Sequence, residues 1–315
     1  MKIVITDSAT VFDSKITASV FAEFGTVESH ALLAYEEIAE AVRDADIILC
    51  NKCVMDAHTL RFATHLCYIG IFATGYDNID IAYCREKGIT VCNAGSYSTD
   101  AVAQHTFALM LELFSKIGDY TRFVREGGWV KSDVFSPFIC DHHEIAGKTL
   151  GIVGYGAIGS KVAQIALAFG MNVLAYNRHT KEAEDVKFVL LDELLSQSDV
   201  VTVHCPLNAD SERMFGKEQF AQMKKTAFFV NTSRGGVIDE AALKEALETG
   251  KIAGAALDVL TEEPMAEKCV LLNAPNCLIT PHIAWAPVET RIRLVGIVAE
   301  NIRAYLAGNP THVVS

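Results

Sequence analysis

Between residues 149 and 169 the chain reads TLGIVGYGAIGSKVAQIALAF, an apolar run that stops at Gly154, turns through Gly156 and Gly159, and resumes at helical spacing. Three glycines at G-x-G-x-x-G spacing, behind a β-rich run and ahead of a helical one, leave the backbone few options. The first permits a tight turn, the second keeps the loop bare, and the third lets the new helix lie close on the strand just left. A strand feeding straight into a helix in this way belongs to a parallel sheet covered by helices.

The rest of the chain keeps the same rhythm. Short apolar runs predict strands at 2–6, 46–50, 67–72 and 89–92, then at 149–153, 171–176, 199–203, 226–231, 252–257 and 277–280, with helical stretches between them. With 315 residues the chain exceeds one ordinary core. The expected class is α/β, with two doubly wound parallel-sheet domains. Thr99 to Ile117 holds no Gly or Pro and is apolar nearly all round, which predicts a long, deeply buried helix between domains or subunits. A last helix at 287–307 carries Val288, Ile292, Val295, Val298, Ile302 and Tyr305 on one stripe and is long enough to return to the first domain. Residues 1–98 plus 287–315 are therefore expected to form a discontinuous, flavodoxin-like domain. Residues 99–286 form a Rossmann domain inserted in it.

In that context the glycine loop reads as a dinucleotide site. Gly154, Gly156, Ala157, Ile158 and Gly159 bring bare backbone and a helix N-terminus to a pyrophosphate. The next strand ends at Asn177 and Arg178, where an acid would select NAD. Without that acid, and with Arg178 to pair a 2′-phosphate, NADP(H) is favoured over NAD(H), although Asn177 can also accept the ribose hydroxyls of NAD. Polar or special residues close the other strands. Cys205, Pro206, Thr232 and Asp258 are assigned to the cofactor because ligands in such sheets bind beyond the carboxyl ends of strands.

Composition narrows the partners. Thirty-nine acids against 27 bases, with no basic run, argue against nucleic acid or an anionic membrane. MKIVITDS reads as a first strand rather than a signal peptide, and no run approaches the roughly 18 apolar residues of a membrane span. Nine cysteines, an odd number and several within apolar runs, fit reduced thiols of a cytoplasmic protein. Cys50 and Cys53 form a CxxC that no second pair answers. His142 and His143 beside Asp141 and Glu144 lie in an irregular stretch, and no metal is expected. Asn231-Thr232-Ser233 matches a glycosylation acceptor but ends a buried strand.

Three further strand-end residues carry chemistry. Arg234 in AFFVNTSRGG can fork onto a carboxylate. His282 in NCLITPHIAW can pass a proton near neutral pH, and Glu263 in AALDVLTEEP can hold that imidazole charged and oriented. Beside a dinucleotide, these are the parts needed to reduce a 2-keto acid. GKTLGIVGYGAIG, FFVNTSRGGVIDEAAL, GAALDVLTEEP and TPHIAWAPVETRIR, in this order, resemble the D-isomer-specific 2-hydroxyacid dehydrogenases. With IGIFATGYDNID and STDAVAQHTFALML the likeness covers nearly the whole chain. ATGYDNID and the tryptophan of HIAWA are most similar to hydroxypyruvate reductases, or glycerate dehydrogenases.

The resemblance implies that Arg234 grips the substrate carboxylate, that His282 and Glu263 form the proton relay, and that Asp258 lies near the nicotinamide amide. It also implies that Thr74 and Gly75 cradle the carboxylate from the smaller domain and that Trp285 walls the pocket. Lys52, after a strand in CNKC, adds a positive charge there. Many relatives carry Glu where this chain has Gln104, a position outside the relay. The expected activity is reduction of hydroxypyruvate or glyoxylate to the D-2-hydroxy acid, and its reverse, with domain closure over cofactor and substrate. A dinucleotide-sensing regulator of the corepressor type on the same scaffold is the alternative. The apolar 99–117 helix suggests a homodimer.

Overall fold

The computed structural model describes residues 1–179 and 181–315. It divides into two compact units, Met1–Ser98 with Ala286–Ser315, and Thr99–Trp285. Named strands pair only in parallel, in one five-stranded and one seven-stranded sheet. This is the α/β class of two parallel-sheet domains that the alternating pattern predicts.

The first unit contains β1 (Lys2–Ile5), β2 (Thr26–Ser29), α1 (Tyr35–Ala41), β3 (Ile47–Cys50), β4 (Tyr68–Ile71), α2 (Ile81–Glu86) and β5 (Thr90–Cys92). Its sheet runs β2-β1-β3-β4-β5. Strand alternation decides which side chains meet which helices. Val4, Ile48, Ile69, Ile71 and Val91 form one core with Ile38 of α1 and Cys84 of α2. Tyr68, on the opposite face, meets Tyr305 of the C-terminal helix at 4.8 Å between ring centres.

The second unit contains α3 (Thr99–Ser115), α4 (Ile117–Arg125), β6 (Thr149–Val153), α5 (Ala157–Ala168), β7 (Asn172–Tyr176), β8 (Val186–Phe188), α6 (Leu191–Gln197) and β9 (Val200–Val203). It continues with α7 (Lys217–Gln222), β10 (Phe228–Asn231), α8 (Glu240–Glu248), β11 (Gly254–Leu257) and β12 (Cys277–Ile279). The final helix, α9 (Val288–Leu306), returns to the first unit. The seven strands run β12-β11-β10-β9-β6-β7-β8, so the chain leaves β6 toward β7 and comes back to its other side at β9. Each face has its own core. Phe229, Val201 and Leu257 pack with α6, α7 and α8, while Phe228, Val230 and Ile152 pack with α3 and α5.

Three details differ from the sequence reading. Strands β2 and β8 escape it because both are sheet edges, only three or four residues long and carrying charges, so neither shows an apolar run. The long helix stops at Ser115: Lys116 turns into the left-handed region at φ 53°, and Glu112 Oε1 accepts the Gly118 N–H at 3.0 Å to start α4. Helix α3 is also not buried all round. Asp100, Gln104 and Ala108, four residues apart, form an exposed stripe, while Phe107, Leu109, Met110 and Phe114 are covered within the same unit. Its apolar character therefore asks for no partner chain. Among the described residues no helix is long and apolar enough to cross a membrane.

Candidate active site

The glycine loop supplies its own test for a bound dinucleotide. Gly154 sits at φ +96°, and a Cβ there would lie 2.6 Å from Cys205 N. At Gly159 a Cβ would lie 2.3 Å from Gly154 O. The fold itself requires these two glycines. Gly156 differs: its φ is −93°, ordinary for any residue, and a Cβ there would meet nothing within 4 Å. Only something outside the chain has a use for the bare backbone at Gly156. The N–H groups of Ala157, Ile158 and Gly159 precede the first i→i−4 bond of α5, which Ser160 N–H donates to Gly156 O at 2.9 Å. A pyrophosphate fits both observations.

The sheet order places the polar strand ends side by side. His282 follows β12, Asp258 and Glu263 follow β11, and Arg234 follows β10; Cys205 comes after β9, then the glycine loop after β6 and Asn177 after β7. His282 Nδ1 lies 2.6 Å from Glu263 Oε2, and Glu263 Oε1 accepts the Leu260 N–H at 2.9 Å. A carboxylate held at both oxygens fixes the ring and keeps a proton on Nδ1, which leaves Nε2 for other chemistry. His282 adopts φ +54°, where a β-carbon is unfavourable, so the turn around it must be held from outside. Its N–H donates to Asp258 O at 2.8 Å.

Two residues shape the loop that carries Arg234. Fully buried Asn231 accepts from Ser233 N–H and Oγ–H at 2.9 and 2.8 Å and donates to Arg234 O at 2.8 Å. Gly235 lies so close to Leu260 that a Cβ would sit 1.9 Å from its carbonyl carbon. The Arg234 and Glu263 loops thus touch backbone to backbone. Arg234 Nη1 donates to Ser233 O at 2.9 Å.

The residues assigned to the cofactor are less uniform. Asn177 spends its amide on two loops, accepting from the Tyr155 N–H of the glycine loop at 3.2 Å and donating to His179 O of its own at 2.9 Å. Exposed Arg178 pairs with Asp210. Thr106 gives its hydroxyl proton to Val102 O at 2.8 Å, so Thr232 donates to Thr106 at 3.0 Å. Burial pushes the Cys205 thiol up, and Pro206 O accepts the Ser211 hydroxyl at 2.6 Å. Between Val203 and Cys205, both ring nitrogens of His204 are buried without a partner among the described residues, and burial holds its pKa down at about 3, so the ring is neutral. Asp258 is 1% exposed and engages four donors. Burial acts to raise its carboxyl, but hydrogen bonds from His105, Thr280 and the Ala284 and Ile283 N–H groups outweigh that and leave it below the usual range.

In the first unit Lys52 follows β3, while Thr74 and Gly75 follow the adjacent β4. Thr74 donates its hydroxyl to Gly95 O, and Asn93 Nδ2 donates to Thr74 O at 2.7 Å. Lys52 stands in a loop built on Asp7, a fully buried acid. Asp7 accepts the N–H groups of Asn51, Lys52 and Cys53 at 2.9, 2.5 and 3.0 Å. Trp285, half-buried, ends the second unit.

Sequence reasoning passes over Asp7, Asn231 and His105 as site-forming residues. Their signals are an acid directly behind an apolar strand, an Asn inside one, and a His in an apolar helix. The nine cysteines are free thiols, and burial raises both Cys50 and Cys53. Among the described residues no three His, Cys, Asp or Glu side chains gather to hold a metal ion.

Residues 107–284 match the D-isomer specific 2-hydroxyacid dehydrogenase, NAD binding domain. The chain is 41% identical over 288 residues to the hydroxypyruvate reductase of Blautia hydrogenotrophica, covering 90% of this chain and 89% of that protein. It is 42% identical over 281 residues to the glycerate dehydrogenase of Methylorubrum extorquens, covering 89% and 88%. An acyclic imino acid reductase solved with NADPH and D-Arg superposes over the full length of both chains, with a TM-score of 0.87 and 32% identity. Fold and likeness together define an oxidoreductase with a nicotinamide-dinucleotide-binding domain. The chain belongs to the D-isomer-specific 2-hydroxyacid dehydrogenase family.

Proposed function

We propose that this chain reduces a small 2-keto acid, of hydroxypyruvate or glyoxylate size, to the D-2-hydroxy acid and catalyses the reverse. The observation that carries the reading is the His282–Glu263 contact of 2.6 Å, with the Arg234 loop packed against the Glu263 loop. When bound at the glycine loop, a nicotinamide dinucleotide supplies or accepts the hydride. Arg234 forks onto the substrate carboxylate and sets the keto carbon's orientation. His282 gives its Nε2 proton to the keto oxygen as charge develops there, and takes it back in the oxidative direction. Glu263 keeps the imidazole's tautomer and offsets its charge while it is protonated. Trp285 walls the pocket. From the first unit, Lys52, Thr74 and Gly75 are assigned to the substrate, because such sheets present their ligands at carboxyl strand ends. The test is loss of reduced-nicotinamide absorbance with hydroxypyruvate, glyoxylate, pyruvate and phenylpyruvate, each with NADPH and with NADH. No turnover despite tight dinucleotide binding would transfer the reading to a dinucleotide sensor.

The cofactor preference rests on Arg178 and its partner. NADPH in the imino acid reductase supports a phosphorylated cofactor on this scaffold. Here Asp210 competes for the guanidinium that a 2′-phosphate needs. Asp210→Asn therefore raises affinity for 2′,5′-ADP relative to AMP by about three- to fivefold, the range of an exposed pair. Calorimetric titration of both nucleotides checks this; an unchanged ratio removes Arg178 from phosphate recognition.

We place a homodimer on a different surface from α3. Val130, Phe135 and Phe138 are 89%, 91% and 82% exposed, with Ile117, Val124, Trp129 and Val134 exposed in the same stretch. At about 150–250 Å² for a large aromatic, this face offers on the order of 800 Å², one partner's share of a stable interface. Light scattering is expected to give twice 34.3 kDa, and half that for a Phe135→Asp, Phe138→Asp double variant. A 34.3 kDa wild-type particle at working concentration refutes the dimer.

A further inference from the structure

His105 lies on α3 and takes no part in the reaction as proposed, yet it reaches Asp258, the acid that four donors engage. Its Nε2 is 3.0 Å from Thr280 Oγ1 and 3.3 Å from Asp258 Oδ1. Thr280 donates its only hydroxyl hydrogen to Asp258 Oδ1, at 2.6 Å. The hydroxyl oxygen can then only accept from His105, so His105 carries a hydrogen on Nε2 and donates it toward both oxygens.

The next link leads to the relay. Asp258 Oδ1 also accepts the Ile283 N–H at 2.9 Å, and Oδ2 accepts the Ala284 N–H at 2.8 Å. Two consecutive N–H groups on two oxygens of one carboxylate make its orientation the template for the turn that follows His282. That turn holds His282 at φ +54°, a conformation that does not persist without such support. Helix α3, the base for His105, packs on β10 and β11, so the imidazole approaches from a rigid element.

We infer that His105 is a positioning residue: through Thr280 it locks the Asp258 carboxylate, and Asp258 in turn fixes the backbone turn that aims His282. The inference rests on His282 acting as the proton donor, as proposed above. His105 touches no substrate in this account; its effect passes through two side chains and a turn.

The experiment compares His105→Leu, which removes the donor, with His105→Gln, which restores an N–H at similar reach. Turnover of His105→Leu is expected to fall about 10- to 100-fold, the scale of a misplacement near 1 Å. His105→Gln should recover to within a few-fold of wild type. In protein labelled with ¹⁵N-histidine, the His282 Nδ1 resonance moves in His105→Leu and returns in His105→Gln. Should His105→Leu not fold, Thr280→Val deletes only the hydroxyl between the ring and the carboxylate, and the same fall is expected. Wild-type turnover in His105→Leu or in Thr280→Val overturns the inference. So does an equal loss in both His105 variants with the His282 resonance unmoved. His282→Ala is the reference: full turnover there refutes the relay itself, whatever the His105 variants do.

Discussion

Turnover of His282→Ala falls by about 10²- to 10⁴-fold, the usual contribution of a positioned acid–base group, while dinucleotide affinity stays at the wild-type value. The separation of the two effects follows from sheet order. His282 follows β12 at one edge, the glycine loop follows β6, and β11, β10 and β9 lie between them. Removing the imidazole takes away the group that Glu263 orients but leaves Gly154, Gly156 and the first turn of α5 untouched. Steady-state kinetics with a nucleotide fluorescence titration measure both terms on one sample. Unchanged turnover would falsify the proton assignment, and a parallel loss of nucleotide binding would show that the substitution spreads far beyond its turn.

Gly235→Ala loses on the order of 3–5 kcal/mol of stability, at the high end for a single substitution. The new Cβ would lie 1.9 Å from Leu260 C, 2.1 Å from its O and 2.3 Å from Thr261 N. All three are backbone atoms, so none of the contacts can be relieved by a rotamer change, and overpacking of this kind has to move one loop. A drop in Tm on the order of 10 °C is expected, with a fall in turnover as the Arg234 loop parts from the Glu263 loop. Gly156→Ala supplies the contrast. Open space around its Cβ predicts an unchanged Tm and weakened dinucleotide binding. Thermal melts and nucleotide titration of both variants separate a glycine needed by the fold from one needed by a ligand. Equal melting of Gly235→Ala and wild type would mean that the two loops are not in contact in solution.

The alternation of apolar runs and helical stretches makes the parallel α/β architecture legible, because strands buried on both faces need nearly continuous apolar sequence. Edge strands β2 and β8 do not have that need and were invisible for that reason. The break after Ser115 was equally hidden, since a lysine in the left-handed region leaves no compositional mark. In the candidate site, Arg234, Glu263 and His282 stand out in the sequence because polar groups within a few residues of an apolar strand end are conspicuous. What holds them is not. Asn231 reads as part of its strand, His105 reads as one polar residue in an apolar helix, and the closeness of Gly235 to Leu260 spans a separation no local pattern encodes. Asn177 and Arg178 stand out in the sequence as candidate cofactor ligands, and in the fold their side chains are engaged with Tyr155, His179 and Asp210, partners that no local pattern encodes.

Asp7 accepts three successive main-chain N–H groups, those of residues 51, 52 and 53, and every amino acid except proline offers that group. The side chains at positions 51 and 53 add anchors of their own, Asn51 Nδ2 donating to Thr10 Oγ1 at 3.1 Å and the Cys53 thiol lying 3.7 Å from Thr6 O, so only the main-chain grip is independent of side-chain identity. At position 52 the grip falls on the N–H alone, and lysine, arginine or a neutral residue supplies that group equally. Variation or engineering at that one place can retune what the first unit presents to solvent without reopening the question of how it folds.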